Sequence, residues 1–301
     1  MMKIISICNQ KGGVGKTTTA INLSASLSQK GFKVLLIDID PQANATSGLG
    51  ARKNLLPKNI YHVLLEQVSI DEIIKPTKIN NLYLAPSNLE LIGARIELIT
   101  ALGREQKLKK AVEATKQLFD FVFIDCPPSL GILTINSLVV SNSALIPLQC
   151  EYYAMEGLSQ LFNAIELIKQ NLNPPLTIEG VLLTMADYRT RLTGEVIEEA
   201  RRFLKDKVYN TIVPRSVRLS EAPGHGEPIM SYDKNSQGAL SYNQLAEEFI
   251  LRNSKIYNKL EQKKPEETKE EAVQTEANKR LESSVGEKRG IGENSNRQHK
   301  G

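Results

Sequence analysis

Along the first 254 residues, short apolar runs alternate with longer stretches whose apolar positions recur every three or four residues. The runs at 4–8, 33–39, 82–86, 121–125, 144–148, 178–184 and 208–213 read as strands. The longer patterns at 16–30, 103–118, 155–171 and 194–205 read as helices. Another begins at about Ser241, where Leu245, Phe249, Ile250 and Ile256 fall at helical spacing. Val34-Leu35-Leu36-Ile37 is apolar without alternation, which suits a parallel strand covered on both faces. Strand, helix and strand in repeated succession predict the α/β class: a doubly wound, mostly parallel sheet flanked by helices. There is no internal repeat, so residues 1–254 are expected to form one domain.

The pattern stops near residue 255. Residues 255–301 hold 11 Lys/Arg and 9 Glu, with only scattered aliphatic residues. Such a segment cannot bury enough surface to offset its ordering entropy, and a disordered tail is expected there. Composition adds little else: 41% hydrophobic, 24% charged, no Trp and a net charge of +4 over 301 residues. Without the tail the balance is 27 basic against 25 acidic residues. Any binding to a polyanion must therefore come from a local cluster. Cys8, Cys126 and Cys150 are scattered, with no metal-ligand spacing. With no leader pattern at Met1–Ser6, reduced thiols and a cytoplasmic location are expected. No apolar run approaches the roughly 20 residues that a membrane-spanning helix needs.

The strongest chemical signal is Gln10-Lys11-Gly12-Gly13-Val14-Gly15-Lys16-Thr17-Thr18, between the first strand and the first helix. Gly15-Lys16-Thr17 fits the end of a phosphate loop, although Gln10 takes the position of its first glycine. Glycines let backbone N–H groups curl around phosphate oxygens, and the helix N-terminus adds partial positive charge. Lys16 is placed to neutralise β- and γ-phosphate charge, and Thr17 to ligate Mg²⁺. Lys11 is foreign to the generic pattern. It is either a solvated lysine or one that reaches the nucleotide of a second subunit.

Lys11-Gly12-Gly13-Val14-Gly15-Lys16-Thr17 resembles the deviant Walker A motif of the ParA/MinD group of P-loop ATPases. Asp38-Ile39-Asp40-Pro41-Gln42, Asn44–Gly50 and Phe123–Ser129 resemble the chromosome-partitioning ParA/Soj branch. So do Gln149–Ala154 and Val213–Pro223. The resemblance runs from about residue 3 to 250. It implies that Lys11 crosses an ATP-bound homodimer to the partner's phosphates, with Gly12 at the tight contact. ATP and Mg²⁺ are the implied cofactors.

Asp38 and Asp40 end the second strand, and Asp125 ends the fourth. In a parallel sheet those ends face the ligand crevice. By resemblance, Asp40 orients the attacking water and joins Thr17 and Asp125 around the metal. Asp125 follows the Walker B pattern, and Asp38 is read as a structural or metal-shell residue. Asn44–Gly50, rich in Gly, Ser and Thr, suits a switch segment. Pro214 resembles the adenine-contacting position, with Met185 as a second candidate. A proline there also serves simply to end the strand.

Arg189 and Arg191 lie in a polar loop, and Arg215 and Arg218 follow the last strand. Read alone they are ordinary surface charges. The resemblance places Arg189 and Arg218 at DNA-binding positions, with Arg191 and Arg215 beside them. No helix-turn-helix precedes the phosphate loop, so sequence-independent, salt-dependent binding of double-stranded DNA by the dimer is expected. A ParB/Spo0J-like centromere-binding protein is the implied stimulating partner, and the nucleoid the implied place of action. A MinD-like membrane ATPase would need an amphipathic C-terminal helix, which Lys263–Glu271 does not supply. An iron–sulfur ATPase would need paired cysteines, and a non-hydrolysing scaffold would not need Asp40 and Asp125.

Overall fold

The computed structural model describes residues 2–151 and 154–254. The expected tail at 255–301, Tyr152, Tyr153 and Ile256 lie outside the described residues. Residues 2–251 form one compact unit, and the described part beyond it is only 252–254.

Along the chain come β1 (Lys3–Ile7), α1 (Lys16–Gln29), β2 (Val34–Asp38), α2 (Asn44–Gly48), α3 (Ile60–Leu64) and β3 (Lys75–Pro76). Next are β4 (Leu82–Ala85), α4 (Leu91–Glu97), α5 (Lys107–Glu113), β5 (Phe121–Asp125), α6 (Ile132–Val140), β6 (Ser143–Gln149) and α7 (Ala154–Asn171). The unit is completed by β7 (Thr177–Ala186), α8 (Arg191–Leu204), β8 (Val208–Pro214), α9 (Val217–Glu221), α10 (Ile229–Tyr232) and α11 (Gln237–Arg252).

The strands form one sheet in the order β3-β4-β2-β5-β1-β6-β7-β8. Every neighbouring pair is parallel except β3 with β4. The expected doubly wound, mostly parallel sheet is the one observed. Alternate side chains of each strand feed two cores. Phe121 and Phe123 point to one face, where Phe249 of α11 lies 5.3 and 5.6 Å from their ring centroids. Val122 and Ile124 point to the other, among Ile60, Leu91, Leu108, Leu133 and Leu161 of α3 to α7.

All seven expected strands are present. The two-residue edge strand β3 left no periodic signal. The pattern at 103–118 yields a shorter helix than it suggests. Thr115 Oγ1 and the Lys116 N–H donate to the Asp71 carboxylate at 2.5 and 3.1 Å, which draws the chain out of helical conformation. The last helices also begin earlier than expected. α8 starts at Arg191 because the Thr190 hydroxyl caps it, accepting from the Thr193 N–H at 3.4 Å. Arg191 therefore sits in the first turn of a helix rather than in a loop.

Candidate functional site

The carboxyl ends of β1, β2 and β5 are adjacent, with Ile7 level with Asp125 and Asp38 level with Asp125. The loop after β1 thus hangs over two strand-end carboxylates. Asn9 anchors it: its amide donates to the Pro147 carbonyl at 2.7 Å, and its side-chain oxygen accepts the Lys11 N–H at 3.0 Å. Gly13 and Gly15 adopt φ of +75° and +87°, a region costly for any other residue. Gly12 does not, so backbone conformation within one chain gives no reason for it. The Thr184 hydroxyl of β7 donates to the Val14 carbonyl at 2.9 Å, pinning the loop to the sheet.

Lys16 is buried, and its Nζ donates to the Lys11 carbonyl at 2.9 Å. Burial lowers its pKa, and the nearby carboxylates of Asp125 and Asp40 oppose that shift. Thr17 Oγ1 donates to Asp125 Oδ2 at 2.7 Å. Asp125 Oδ1 is buried with no hydrogen-bond partner. Burial, and then Asp38 nearby, raise the Asp125 pKa. A carboxylate oxygen left bare beside a threonine hydroxyl is suited to a hard cation. Among the described residues no group of three or more His, Cys, Asp or Glu could hold a metal ion. A cation here would thus depend on oxygens from bound phosphate as well as protein.

Asp38 is fully engaged. It accepts from the Asp40 N–H at 3.1 Å, and from the Thr46 N–H and hydroxyl at 2.8 and 2.7 Å. Burial still pushes its pKa up to about 6. Its work is to hold α2 against β2, in line with the structural reading. The segment 44–50 is folded as α2 and its C-terminal turn. Asp40 is tied less tightly: one carboxylate oxygen accepts from the Gln42 N–H at 2.9 Å.

Beside the loop is a cavity of about 480 Å³. Gly15, Thr17 and Thr18 floor it, α2 forms one wall, and Met185, Pro214 and Arg215 form the opposite end. Both residues proposed to contact a base are therefore in one cavity with the loop. Met185 holds φ +53°, an uncommon conformation for its type. Sequence reasoning missed Thr184, Leu219, Ser220, Pro223 and Tyr242 in this site. Thr184 had a usable signal, since it ends an apolar strand on the carboxyl edge. Tyr242 had none: it is buried in α11 and its hydroxyl lies 3.1 Å from that of Thr19.

The two walls meet where Gly50 touches Gly226. A Cβ on Gly226 would lie 2.7 Å from Gly50 Cα, and Gly226 has φ +67°. Gly226→Ala is expected to cost about 2–4 kcal/mol of stability, lowering Tm by about 5–10 °C in a thermal melt. A melt within 1–2 °C of wild type would show that the contact is slack.

At the rim, Lys11 is half exposed and pairs with Glu151. The four arginines gather at the ends of β7 and β8, where the Arg215 N–H donates to the Ala186 carbonyl at 3.0 Å. Arg189 grips Asp187 with two nitrogens, at 2.8 and 2.6 Å. Arg218 lies 3.1 Å from Glu221 and 3.6 Å from Asp233. Arg215 lines the cavity as well.

A family model described as an AAA domain matches residues 2–178. The chain is 56% identical over 248 residues to the sporulation initiation inhibitor protein Soj of Bacillus subtilis, covering 82% of this chain and 98% of that protein. It is 50% identical over 252 residues to the chromosome partitioning protein ParA of Myxococcus xanthus, covering 84% and 89%. The chain belongs to the ParA/Soj family of chromosome-partitioning ATPases. Among solved structures, cobyrinic acid a,c-diamide synthase from Mycobacterium smegmatis with bound ADP and magnesium has a TM-score of 0.75. It is 35% identical, covering 85% of this chain and 96% of that one. The septum site-determining protein MinD of Pyrococcus horikoshii with Mg-ADP has a TM-score of 0.69 at 27% identity, covering 82% and 96%. ParA/Soj membership accounts for the loop, the strand-end carboxylates and the cavity as one unit. The AAA-domain match ends at residue 178, before the arginines begin.

Proposed function

We propose that this chain binds Mg-ATP in the cavity, dimerises through the rim that carries Lys11, and binds double-stranded DNA nonspecifically as the dimer. Hydrolysis of ATP then releases it, under stimulation by a ParB-like protein, in the segregation of a chromosome or plasmid. Residues 1–254 are the ATPase domain in this reading. The observation that carries it is the contrast between two lysines of one loop. Lys16 is buried toward the strand-end carboxylates, whereas Lys11 stands half exposed on the rim. A lysine there serves a neighbour's phosphates better than its own.

Gly12, Gly13, Val14 and Gly15 present backbone N–H groups to the phosphates, and Lys16 neutralises charge between them. Thr18 faces the cavity next to the loop, and Met185 and Pro214 bound the base. Thr17 and Asp125 are the residues that would hold magnesium, with Asp40 nearby. When bound, magnesium neutralises developing phosphate charge. Asp40, held by only one hydrogen bond to its carboxylate, orients the attacking water. Lys11 supplies its charge in trans, so turnover is slow in the monomer and faster in the dimer.

Among the described residues no helix is long and apolar enough to cross a membrane. DNA is the partner that the arginine cluster fits. Their acidic neighbours are exposed pairs worth little in water, so phosphates can displace them. Arg189→Glu and Arg218→Glu are each expected to weaken DNA binding about 10-fold or more at low salt. Each should flatten the salt dependence by about one unit of slope. Fluorescence anisotropy on two unrelated duplexes checks this. Unchanged affinity in both variants would remove the arginines from the DNA surface.

A further inference from the structure

Two residues past the end of β4, Ser87 is fully buried and makes two connections at once. Its N–H donates to the Thr46 hydroxyl at 2.9 Å, and its own hydroxyl donates to the Asp40 carbonyl at 2.8 Å. The register brings it within reach. β4 runs parallel to β2 with Ala85 level with Ile37, so the residues just past the two strand ends lie side by side. The Thr46 hydroxyl in turn donates to Asp38 at 2.7 Å. Asp38, Thr46 and Ser87 are all buried, and they form a chain of hydrogen bonds across β2, α2 and the end of β4. Away from water such a chain is stiff, because breaking any link leaves a desolvated donor or acceptor.

The chain closes on the backbone of Asp40. The Asp40 N–H donates to Asp38 at 3.1 Å, and the Asp40 carbonyl accepts from the Ser87 hydroxyl and from the Ala43 N–H at 2.9 Å. The turn that follows holds Ala43 at φ +53°, a conformation that alanine adopts only where its surroundings impose it. Both polar atoms of the Asp40 main chain are thus fixed, whereas its carboxylate is held by the Gln42 N–H. An aspartate side chain is short and turns about two bonds. Its oxygens reach a defined point only if its Cα is fixed, and an error of about 1 Å in such a group costs on the order of 100-fold in rate.

We infer that Ser87 is a positioning residue for ATP hydrolysis, acting through the main chain of Asp40. The inference rests on the proposed role of Asp40 in orienting water and says what holds that residue in place. Simpler roles for the hydroxyl fit worse. It caps no helix, since α4 begins at Leu91 with Glu90 as its N-cap. It is closed to solvent and does not line the cavity, so it meets no nucleotide. Removing the hydroxyl leaves the Ser87 N–H on Thr46 and the Ala43 N–H on the Asp40 carbonyl. The fold and α2 should therefore persist while the aspartate loosens.

The test is ATP hydrolysis with Mg²⁺ by the full chain, read at steady state and under single turnover, beside binding of a fluorescent ATP analogue. Ser87→Ala should lower kcat about 10-fold, with KM and the dissociation constant of the analogue within about twofold of wild type. Added to Asp40→Asn, it should slow single turnover no further, because the place of that side chain no longer matters. A wild-type rate in Ser87→Ala would overturn the inference and leave the proposed function intact. So would a rate and an affinity that fall together, the mark of a damaged fold. A 10-fold loss that persists in the Asp40→Asn background would show that Ser87 acts elsewhere, and would also overturn it. A wild-type rate in Asp40→Asn itself would overturn both the inference and the role proposed for Asp40.

Discussion

Lys16→Ala is expected to lose measurable ATP binding. The side chain is buried beneath the loop, and its Nζ reaches back to the Lys11 carbonyl at 2.9 Å, where it sits inside the curve of the loop. Burial lowers its pKa, while Asp125 and Asp40 oppose that shift. Bound triphosphate opposes it further, since it adds negative charge at short range. Losing charge-assisted hydrogen bonds to phosphate costs about 3 kcal/mol or more, which is at least about 100-fold in affinity. Isothermal titration with ATP and Mg²⁺ checks this, with circular dichroism as the control for folding. Affinity within threefold of wild type would mean that the loop binds through its backbone alone.

Asp40→Ala should behave in the opposite way. It should bind ATP and then accumulate as a dimer, with hydrolysis reduced by about 100- to 1,000-fold. Asp40 is buried near Lys16, but one of its carboxylate oxygens is engaged only by the Gln42 N–H at 2.9 Å. Its neighbour Asp38 is spent on Thr46 and the Asp40 N–H. Of the two, only Asp40 can turn toward a water without dismantling α2. Asp40→Asn separates the roles: it keeps an oxygen for Gln42 and removes the charge. Phosphate release under single-turnover conditions reads both variants. Wild-type turnover in either would mean that Asp40 does not position the water.

The sheet was legible because parallel strands buried on both faces must be continuously apolar. Val34-Leu35-Leu36-Ile37 and Phe121-Val122-Phe123-Ile124 admit few other readings. The loop was legible because Gly13 and Gly15 are needed for their φ angles. Helix α6 was not, because Ile132-Leu133-Thr134-Ile135 mixes β-branched residues into an apolar run that favours neither state. Arg191 was misplaced in a loop because Thr190 caps the helix before its amphipathic pattern begins. The far wall of the cavity was hidden for another reason. Leu219, Pro223 and Tyr242 reach the site only through packing of the last third of the chain against α1 and α2, and no local spacing encodes that.

The contact between Gly50 and Gly226 has a kinematic consequence. The cavity lies between two covers, α2 on one side and the 213–224 segment on the other, bound along one edge by backbone touching backbone. Like a book with a fixed spine, it can open only at the fore-edge. That leaves the edge away from this contact as the way for a nucleotide to enter and leave. On the proposed dimerisation, a second copy seated over that edge would tie the residence time of a bound nucleotide to the lifetime of the pair.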